Sequence, residues 1–406
     1  MLAQNVENEY AKTVLNDVEN LTEEKIDELL NKFMKDFKEG SLEKEGWRTY
    51  LSAYTVSKAA LNAYTRLLAN KYPDFLVNSL CPGYVKTDIN CNTGFLTPLE
   101  GAQSAVRLAL LPQSGPSGAN KGIGFEICKQ LSSKGVVVVL TSRDEKRGLE
   151  AVEKLKESEG LSDYVIFHQL DVTDPASIAS LADFIKTHFG KLDILVNNAG
   201  IPGAMGNADA FVRAVQITGD WPEGEHVNWK ELATQTFETA EECLNTNYYG
   251  AKRMVEALAP LLQLSDSARI VNISSFLGLL ERIPNEKVKG ALSNVESLTE
   301  EQIDEILNKL LKDVKEGSEE KEGWPSYLSA YSLSKAAMNA YTRILAKKNP
   351  TFLVNCVCPG FVKTDINCNT GPLTVAQGAD GPVKLALLPY GGSSGLFFRK
   401  DQVSCF

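Results

Sequence analysis

A long internal repeat constrains this 406-residue chain more than any other feature of its sequence. Residues 8–118 align without gaps onto residues 285–395, and about two thirds of the aligned positions are identical. One long repeat with an incomplete copy argues against a solenoid, in which short units stack on their neighbours. We therefore predict two parts: residues 1–117, a truncated duplicate, and residues 118–406, a nearly complete domain that ends in the same sequence.

The composition and charge of the chain argue against several classes of function. A net charge of −10 leaves no basic footprint, which argues against a nucleic-acid partner. No apolar run approaches about 18 residues and the N-terminus is polar and acidic, so we expect neither a membrane-spanning helix nor a signal peptide. Eight cysteines without CxxC spacing indicate reduced thiols in a cytoplasmic protein. The three histidines are scattered along the chain, so few ligands are available for a metal site.

Apolar strands and amphipathic helices alternate through residues 118–406. This alternation predicts a parallel sheet covered by helices on both faces, because buried parallel strands are continuously apolar and need helical crossovers. We predict a Rossmann-like, doubly wound α/β fold, whose ligands bind beyond the carboxyl ends of the strands. The predicted strands begin at Val136, Tyr164, Ile194, Arg269 and Phe352, and the first three predicted helices cover 125–133, 145–158 and 177–189.

A glycine-rich turn opens this domain. Gly118, Gly122 and Gly124 precede a predicted helix, and the free N–H groups and positive dipole end of a helix N-terminus bind phosphate. Glycines also let the backbone approach a pyrophosphate closely. The spacing departs from GxGxxG, and a glycine triplet alone could form an ordinary turn. The helix and the buried strand that follow favour a dinucleotide site.

Two basic residues stand where the adenosine ribose of a dinucleotide is expected. Lys121 lies inside the glycine turn, and Arg143 takes the first position after the strand that begins at Val136. An acid in the position of Arg143 would bind a ribose 2′-hydroxyl. Two cations there favour a 2′-phosphate, hence NADP(H) over NAD(H). The alternative is that both are solvated surface charges.

A tyrosine and a lysine lie four residues apart on one face of a predicted helix. Tyr331 and Lys335 stand in a helical pattern of alanines and leucines. An ammonium beside a phenol lowers the phenol pKa from about 10, which gives a proton donor or acceptor usable near neutral pH. By itself the pair is a weak signal, because an amphipathic helix with a solvated lysine has the same spacing. Ser275 ends a buried strand at the edge expected to hold the cofactor loops, and together with Tyr331 this favours a catalytic serine.

A charged insertion, at about residues 276–323, separates Ser275 from Tyr331. It contains an amphipathic helix that starts with a capping box at Thr299 and ends near Gly317. Because the insertion lies between two candidate catalytic residues, we expect it over or beside the substrate site, where it could act as a lid. The alternative is a surface helix packed elsewhere.

Together these residues resemble the short-chain dehydrogenase/reductase superfamily over nearly all of 118–406. The insertion and phrases such as Gly-Lys-Leu-Asp-Ile-Leu-Val-Asn-Asn-Ala-Gly are similar to a plant branch, that of salutaridine reductase and the menthone/neomenthol reductases. The resemblance implies a monomeric NADP(H)-dependent carbonyl reductase or alcohol dehydrogenase for a small terpenoid or alkaloid ketone or alcohol. It implies the catalytic residues Asn247, Ser275, Tyr331 and Lys335. It implies cofactor contacts by Tyr331 and Lys335 and by Gly118, Asn120, Lys121, Gly122, Ile123, Gly124, Arg143, Asp171, Val172, Asn198, Val362 and Thr364.

The resemblance also implies a division of roles in the reaction. NADPH delivers hydride to a ketone carbon, and Ser275 hydrogen-bonds the carbonyl oxygen. Tyr331 donates the proton, while Lys335 lowers the tyrosine pKa and holds the nicotinamide ribose. Asn247 holds a water that connects Lys335 to solvent. The implied monomer follows from the inserted helix, which covers a face that relatives use for oligomerisation.

The sequence departs from the family at the strand that should precede Gly118. Residues 112–117 contain two prolines and a glycine, and proline is nearly excluded from a central strand. In a 3-2-1-4-5-6-7 sheet this first strand lies in the middle. A competing hypothesis is therefore a non-catalytic fusion, either a pseudoenzyme kept as a binding protein or the joined product of two tandem genes. A third, that the N-terminal copy is an interaction module, has no feature in its favour.

We predict that Arg143→Ala lowers the preference for NADPH over NADH. Losing a charge-assisted contact to a phosphate costs about 1.5–3 kcal/mol, or about ten- to a hundredfold in affinity. The ratio of kcat/KM for the two cofactors measures the preference. An unchanged ratio would show that Arg143 does not contact the 2′-phosphate.

Overall fold

The chain divides into two compact units, Met1–Gln113 and Ser114–Phe406, in the computed structural model. The cofactor candidates Gly118, Asn120 and Lys121, and the segment 112–117, lie outside the residues that the structure describes. The described residues are 8–17, 20–72, 79, 86, 87, 93, 122–157, 161, 163–223, 227–325 and 327–406.

Three amphipathic helices make up most of the described part of unit 1. They are α1 (Glu9–Asn16), α2 (Glu23–Lys38) and α3 (Ser52–Lys71). Asn8 caps α1, because its Oδ1 accepts a hydrogen bond from Ala11 N at 2.9 Å. Leu29, Phe33 and Trp47 are buried together between the helices. The duplicate therefore has a small core of its own.

The two aligned segments make the same local contacts. In unit 1 Trp47 Nε1 donates to Asp36 Oδ2 at 2.8 Å, and in unit 2 Trp324 Nε1 donates to Asp313 Oδ2 at 2.7 Å. Each of these carboxylates also pairs with the lysine four residues before it. A contact that recurs in both copies follows from the sequence of the repeated segment alone.

Unit 2 alternates helices and strands along its described length. Its main helices are α4 (Gly122–Ser132), α5 (Glu145–Lys156), α6 (Pro175–Phe189), α7 (Ala208–Thr218), α8 (Trp229–Leu232), α9 (Phe237–Leu244), α10 (Gly250–Leu262), α11 (Glu286–Ser293), α12 (Glu300–Glu316), α13 (Ser329–Lys348) and α14 (Val375–Ala386). Its strands are β1 (Val138–Ser142), β2 (Val165–Gln169), β3 (Ile194–Asn197), β4 (Met205–Gly206), β5 (Ala233–Thr234), β6 (Arg269–Ile273), β7 (Leu353–Cys358), β8 (Phe397–Arg399) and β9 (Gln402–Ser404). Within the described ranges, no helix is both long and apolar enough to span a membrane.

Parallel strands form the centre of unit 2. β3, β6, β7 and β8 are neighbours in this order and run parallel, and β9 closes the edge antiparallel to β8. The register places Val196 of β3 beside Val271 of β6. β7 is buried along its whole length, as expected for a strand covered by helices on both faces. The predicted Rossmann-like α/β fold is confirmed at this level.

The predicted elements agree with the structure except at their ends. β1 covers Val138–Ser142 where the sequence predicts a strand from Val136. α4 begins at Gly122 and not at residue 125, so Ile123 and Gly124 belong to its first turn. Element ends carry weak local signals because their last residues make few hydrogen bonds within the element.

A cavity of about 490 Å³ lies between β1 and β3. Among the described residues, β1 pairs only with β2, and β3 pairs only with β6. Val139 and Val196 line the cavity from the two strands, and Ile127 of α4 and Met254 of α10 line it from the helices. The described part of the sheet is therefore divided at the position where the family's first strand is expected.

The insertion after Ser275 forms part of the core. α12 starts with the predicted capping box at Thr299 and ends at Gly317. Ile303 and Leu307 are buried in the main core cluster, and the helix packs against α9 and α13. The helix of the insertion is therefore packed into the core of unit 2, and its role as a lid stays a prediction.

Candidate active site

Helix α13 carries the predicted Tyr–Lys pair. Gln235 holds its first turn, because Oε1 accepts from Ala330 N at 3.0 Å and Nε2 donates to Ser329 Oγ at 2.7 Å. Tyr331 and Lys335 lie one turn apart, with the lysine Nζ 5.7 Å from the centre of the tyrosine ring. Lys335 is only 4 % exposed, so the alternative of a solvated lysine is wrong.

Ser275 meets this pair at the carboxyl end of β6. The strand ends at Ile273, and Lys335 Nζ donates to the Ile273 carbonyl oxygen at 2.8 Å. The Ser275 hydroxyl lies near enough to the Tyr331 phenol to lower its pKa. Three predicted catalytic residues therefore converge at one sheltered point, where a strand end and a helix face each other.

Removal from water has the largest effect on the acidity of Tyr331. Burial of the phenol raises the pKa of Tyr331, and the nearby Ser275 hydroxyl lowers it by a smaller amount. Burial also lowers the pKa of Lys335 from 10.5 to about 8. The net pKa of Tyr331 is raised because burial outweighs the effect of Ser275, and the predicted effect of Lys335 on this pKa stays a prediction. Tyr331 is a protonated phenol at neutral pH.

Asn247 lies next to Lys335 in a π-helical turn, a feature that often marks functional sites. The turn covers Asn245–Tyr249 between α9 and α10. The buried Asn247 amide accepts from Ile201 N at 2.8 Å and donates to Ile201 O at 3.0 Å. A Cβ at Gly200 would lie 3.4 Å from both Asn247 Oδ1 and Lys335 Nζ. The glycine turn after β3 therefore contacts two of the predicted catalytic residues.

Two predicted cofactor loops also touch each other. Gly122 begins α4 with a φ of +62°, and a Cβ there would meet Thr364 Cγ2 at 3.4 Å. Thr364 follows β7 and its Oγ1 donates to Val362 O at 3.4 Å. Ile123 and Gly124 continue the first turn of α4. The turn before α4 and the turn after β7 therefore form one surface at the carboxyl edge of the sheet.

The remaining described cofactor candidates follow β1, β2 and β3. Arg143 comes directly after β1, and Asn198 comes directly after β3. Asp171 Oδ1 accepts two hydrogen bonds, at 2.8 and 2.7 Å, from the residue two positions on. Val172 packs against α10, where a Cβ at Gly250 would come within 2.7 Å of it. Each lies at the sheet edge that the predicted fold assigns to ligands.

The surface around the start of α4 fits the phosphates of a dinucleotide. A side chain at Gly122 would be strained at φ +62°, so glycine suits this turn. The N-terminus of α4, an 11-residue helix, offers N–H groups without helical partners and a positive dipole end. These are the groups that an anionic pyrophosphate needs.

A chain of buried amides beneath the site was not predicted. Asn197 Nδ2 donates to Asn272 Oδ1 at 2.8 Å, and Asn272 Nδ2 donates to Thr342 Oγ1 at 2.9 Å. The chain joins β3, β6 and α13. Asparagine is depleted in strands, so two asparagines inside predicted buried strands were the signal that could have found it.

Aromatic rings surround the end of β6, and the sequence analysis missed them as well. Trp221 lies edge-on to Phe276 and Phe361, with ring centres 5.5 and 5.4 Å away. Trp229 stacks on Tyr327 at 3.9 Å. Phe276 follows Ser275, and Phe361 precedes Val362, so this aromatic wall stands beside the predicted catalytic and cofactor residues.

Unit 1 repeats the Tyr–Lys pair in a different environment. Tyr54 aligns with Tyr331 and is 52 % exposed, and Lys58 Nζ lies 5.8 Å from its ring centre. The spacing of the pair therefore follows from the helix alone. The repeated sequence starts at residue 285, after Ser275, so it includes no counterpart of that serine.

Known proteins with similar sequences and structures show where the chain belongs. The sequence profile of the short chain dehydrogenase family matches residues 117–291. Short-chain dehydrogenase/reductase 1 of Saponaria officinalis is 58% identical over 290 residues, which are 71% of this chain and 94% of that protein. (+)-Neomenthol dehydrogenase of Arabidopsis thaliana is 59% identical over 292 residues, 71% of this chain and 96% of that protein. The structure of salutaridine reductase from Papaver somniferum is similar with a TM-score of 0.65 and 55% identity, and covers 70% of this chain and 97% of its own.

A parallel sheet with a tyrosine, a lysine and a serine at its carboxyl edge defines a nicotinamide-dependent oxidoreductase. The chain belongs to the short-chain dehydrogenase family, and it is an NADP(H)-dependent enzyme of the class that acts on CH–OH groups. The family resemblance, the cofactor and the reaction class predicted from the sequence are confirmed.

Lys335→Met should change how thermal stability depends on pH. The pKa of Lys335 is about 8 in the folded chain against 10.5 in the reference state, so between these values the unfolded chain binds one more proton. The native chain should therefore gain stability from this group as the pH rises from about 8 towards 10. Tm measured without NADPH from pH 7 to 10 should show Lys335→Met more stable at pH 7, with a difference that shrinks as the pH rises.

The aligned substitution in unit 1, Lys58→Met, is the matched control for losing a lysine from this helix sequence. A Tm difference between Lys335→Met and the native chain that stays constant from pH 7 to 10 would contradict a buried lysine that titrates near pH 8.

Proposed function

We propose that the chain reduces the carbonyl group of a small-molecule ketone with NADPH, or oxidises the corresponding secondary alcohol with NADP⁺. The observation that carries the proposal is that the Ser275 hydroxyl and the Tyr331 phenol come together beside the buried ammonium of Lys335. A hydroxyl and a phenol at one point offer a carbonyl oxygen one hydrogen bond and then a proton. NADPH, when bound, supplies the hydride to the carbonyl carbon.

We assign the proton transfer to Tyr331. The raised pKa keeps the phenol protonated at neutral pH, so it can give its proton to the carbonyl oxygen as the alkoxide forms. The ammonium of Lys335 then stabilises the phenolate, and its own lowered pKa allows it to return a proton to Tyr331. Asn247, in the adjoining π turn, would hold a water that connects Lys335 to solvent.

We assign the cofactor contacts to the loops that follow the parallel strands. The contact between Gly122 and Thr364 supports one continuous binding surface, and the position of Arg143 directly after β1 supports a 2′-phosphate partner. Lys335 and Tyr331 would hold the nicotinamide end. The other assigned residues are Ile123, Gly124, Asp171, Val172, Asn198 and Val362, and, by sequence only, Gly118, Asn120 and Lys121.

The substrate we infer is an apolar ring compound of terpenoid or alkaloid type. The relatives carry names that refer to (+)-neomenthol and salutaridine, compounds of these two types. Trp221, Phe276 and Phe361 stand beside Ser275 and would cover an apolar ring more readily than a charged chain. The identity of the ring compound is decided by screening cyclic ketones.

We further propose that the enzyme is a monomer in the cytoplasm. α12 packs against α9 and α13 and covers a helical face that would otherwise be open to a second subunit. The cysteines that the structure describes are free thiols, which suits a reducing compartment. In this proposal residues 118–406 are the working domain and residues 1–117 are a truncated duplicate without a site of its own.

A second candidate, a non-catalytic fusion that binds without turning over, is favoured by one observation. Within the described residues β1 and β3 do not pair with each other, and Val139 and Val196 line the cavity between them. Each buried unsatisfied group costs about 1–3 kcal/mol, and several together rival a domain stability of about 5–15 kcal/mol. By sequence, residues 112–117 are poorly suited to supply that strand.

Tyr331→Phe should abolish ketone reduction, while Tyr54→Phe should leave the rate unchanged. The first removes the proton donor, and the second removes an exposed phenol with no serine partner in the aligned sequence. NADPH oxidation followed at 340 nm with a panel of cyclic ketones measures both. Comparable losses would show that unit 1 contributes to the site.

Restoring a strand former before Gly118 should raise both stability and NADPH affinity. The variant replaces residues 112–117 with Arg-Tyr-Ala-Val-Val-Thr and deletes residues 1–111, so that β-formers without proline can pair with β1 and β3. Tm and nicotinamide fluorescence enhancement give the two readouts. A native chain that melts as high and binds NADPH as tightly as this variant would contradict the damaged-fusion candidate.

A further inference from the structure

The hydroxyl of Ser334 joins two of the helices that carry the site. Ser334 is fully buried between Tyr331 and Lys335 on α13. Its Oγ donates to the Tyr331 carbonyl oxygen at 2.7 Å and accepts from Asn247 Nδ2 at 3.0 Å. One hydroxyl therefore connects the backbone that carries the proton donor to the amide in the π turn.

Both N–H groups of the Asn247 side-chain amide are used in hydrogen bonds. Its Nδ2 lies 3.0 Å from both Ile201 O and Ser334 Oγ, and these two oxygens take its two hydrogens. Cys243 Sγ lies 3.2 Å from the same nitrogen. Burial raises the pKa of the Cys243 thiol, so it stays protonated and can donate to Ile201 O at 3.5 Å. The amide is thus held on three sides, and Ser334 is its only contact among these with α13.

Unit 1 shows which of the two Ser334 hydrogen bonds depends on the helix alone and which depends on the packing of unit 2. In unit 1 the aligned Ser57 makes the same bond, to Tyr54 O at 2.9 Å, from an exposed position. A bond of this kind from a serine to the carbonyl three residues back follows from helix geometry alone. The bond from Asn247 to Ser334 connects positions 87 residues apart and requires the packed core of unit 2.

We propose that Ser334 is a positioning residue for the reduction: through Asn247 it fixes the π turn and the Gly200–Ile201 turn against the Tyr331–Lys335 face. This inference rests on the proposed function, since it concerns the geometry of that reaction. Without the hydroxyl, one Asn247 N–H keeps only the sulfur of Cys243, a weak acceptor, and the turn loses its bond to the helix that carries Lys335.

The test compares Ser334→Ala with Ser57→Ala, which removes the same local bond from unit 1. With NADPH and the cyclic ketone that the native chain reduces fastest from a panel including menthone, Ser334→Ala should lower kcat about tenfold. KM for the ketone and Kd for NADPH should change less than about twofold, because neither ligand contacts Ser334. Ser57→Ala should change none of these values.

A shape-matched pair isolates the hydroxyl from any effect of a cavity or of lost stability. Ser334→Thr and Ser334→Val have side chains of the same shape, and only the first keeps an O–H group. The threonine variant should retain most of the native kcat relative to the valine variant. Equal kcat values for the two, or a Ser334→Ala variant that loses Tm but not kcat, would overturn the proposal.

Hydrogen exchange gives a readout that does not depend on turnover. Ser334→Ala should speed amide exchange in Asn245–Tyr249 and at Ile201, and Ser57→Ala should not. If the native chain reduces none of the ketones, the proposed function fails, and the exchange result still decides whether Ser334 holds the π turn. Unchanged exchange in Ser334→Ala would overturn the positioning role.

Discussion

The ammonium of Lys335 donates a hydrogen bond to the carbonyl oxygen of Ile273, where β6 ends. A buried charge is tolerated only where such partners are in place, so the end of β6 and the first turns of α13 must stay in a fixed register. Ser275 follows Ile273 by two residues and Tyr331 precedes Lys335 by one turn. The packing that gives the Lys335 ammonium its hydrogen-bond acceptor therefore also brings the Ser275 hydroxyl to the Tyr331 phenol. The site depends on this contact between the end of β6 and α13.

The repeat shows what this packing adds, because nearly the same helix occurs twice in one chain. The Trp–Asp–Lys contact is the same in both units, and so is the distance between the aromatic ring and the lysine. In unit 2 the helix lies against parallel strands, where Lys335 is 4 % exposed and its pKa falls to about 8. Tyr54 remains 52 % exposed. Local sequence is therefore sufficient for the geometry of the pair and insufficient for its chemistry.

Features set by residues close together along the chain were predictable from its sequence, and features that form where distant segments meet were not. Strand and helix types, the capping box at Thr299 and the positions of Arg143, Asn198 and Ser275 after their strands were all predictable from local pattern. The dominant effect of burial on the pKa of Tyr331 was not foreseen. The amide chain from Asn197 to Thr342 and the bond between Asn247 and Ser334 were not foreseen. Both connect residues separated by 70 or more positions.

The sequence by itself determined the alternation of strands and helices, and with it the edge at which the functional side chains gather. It could do so because parallel strands joined by helical crossovers necessarily bring their carboxyl ends to one side. Only the tertiary structure decided how much water each of those side chains retains and which distant group it binds. Desolvation and hydrogen bonds between remote segments depend on every neighbour that packs around a group, so they set the protonation of Tyr331 and Lys335 in a way that no local pattern encodes.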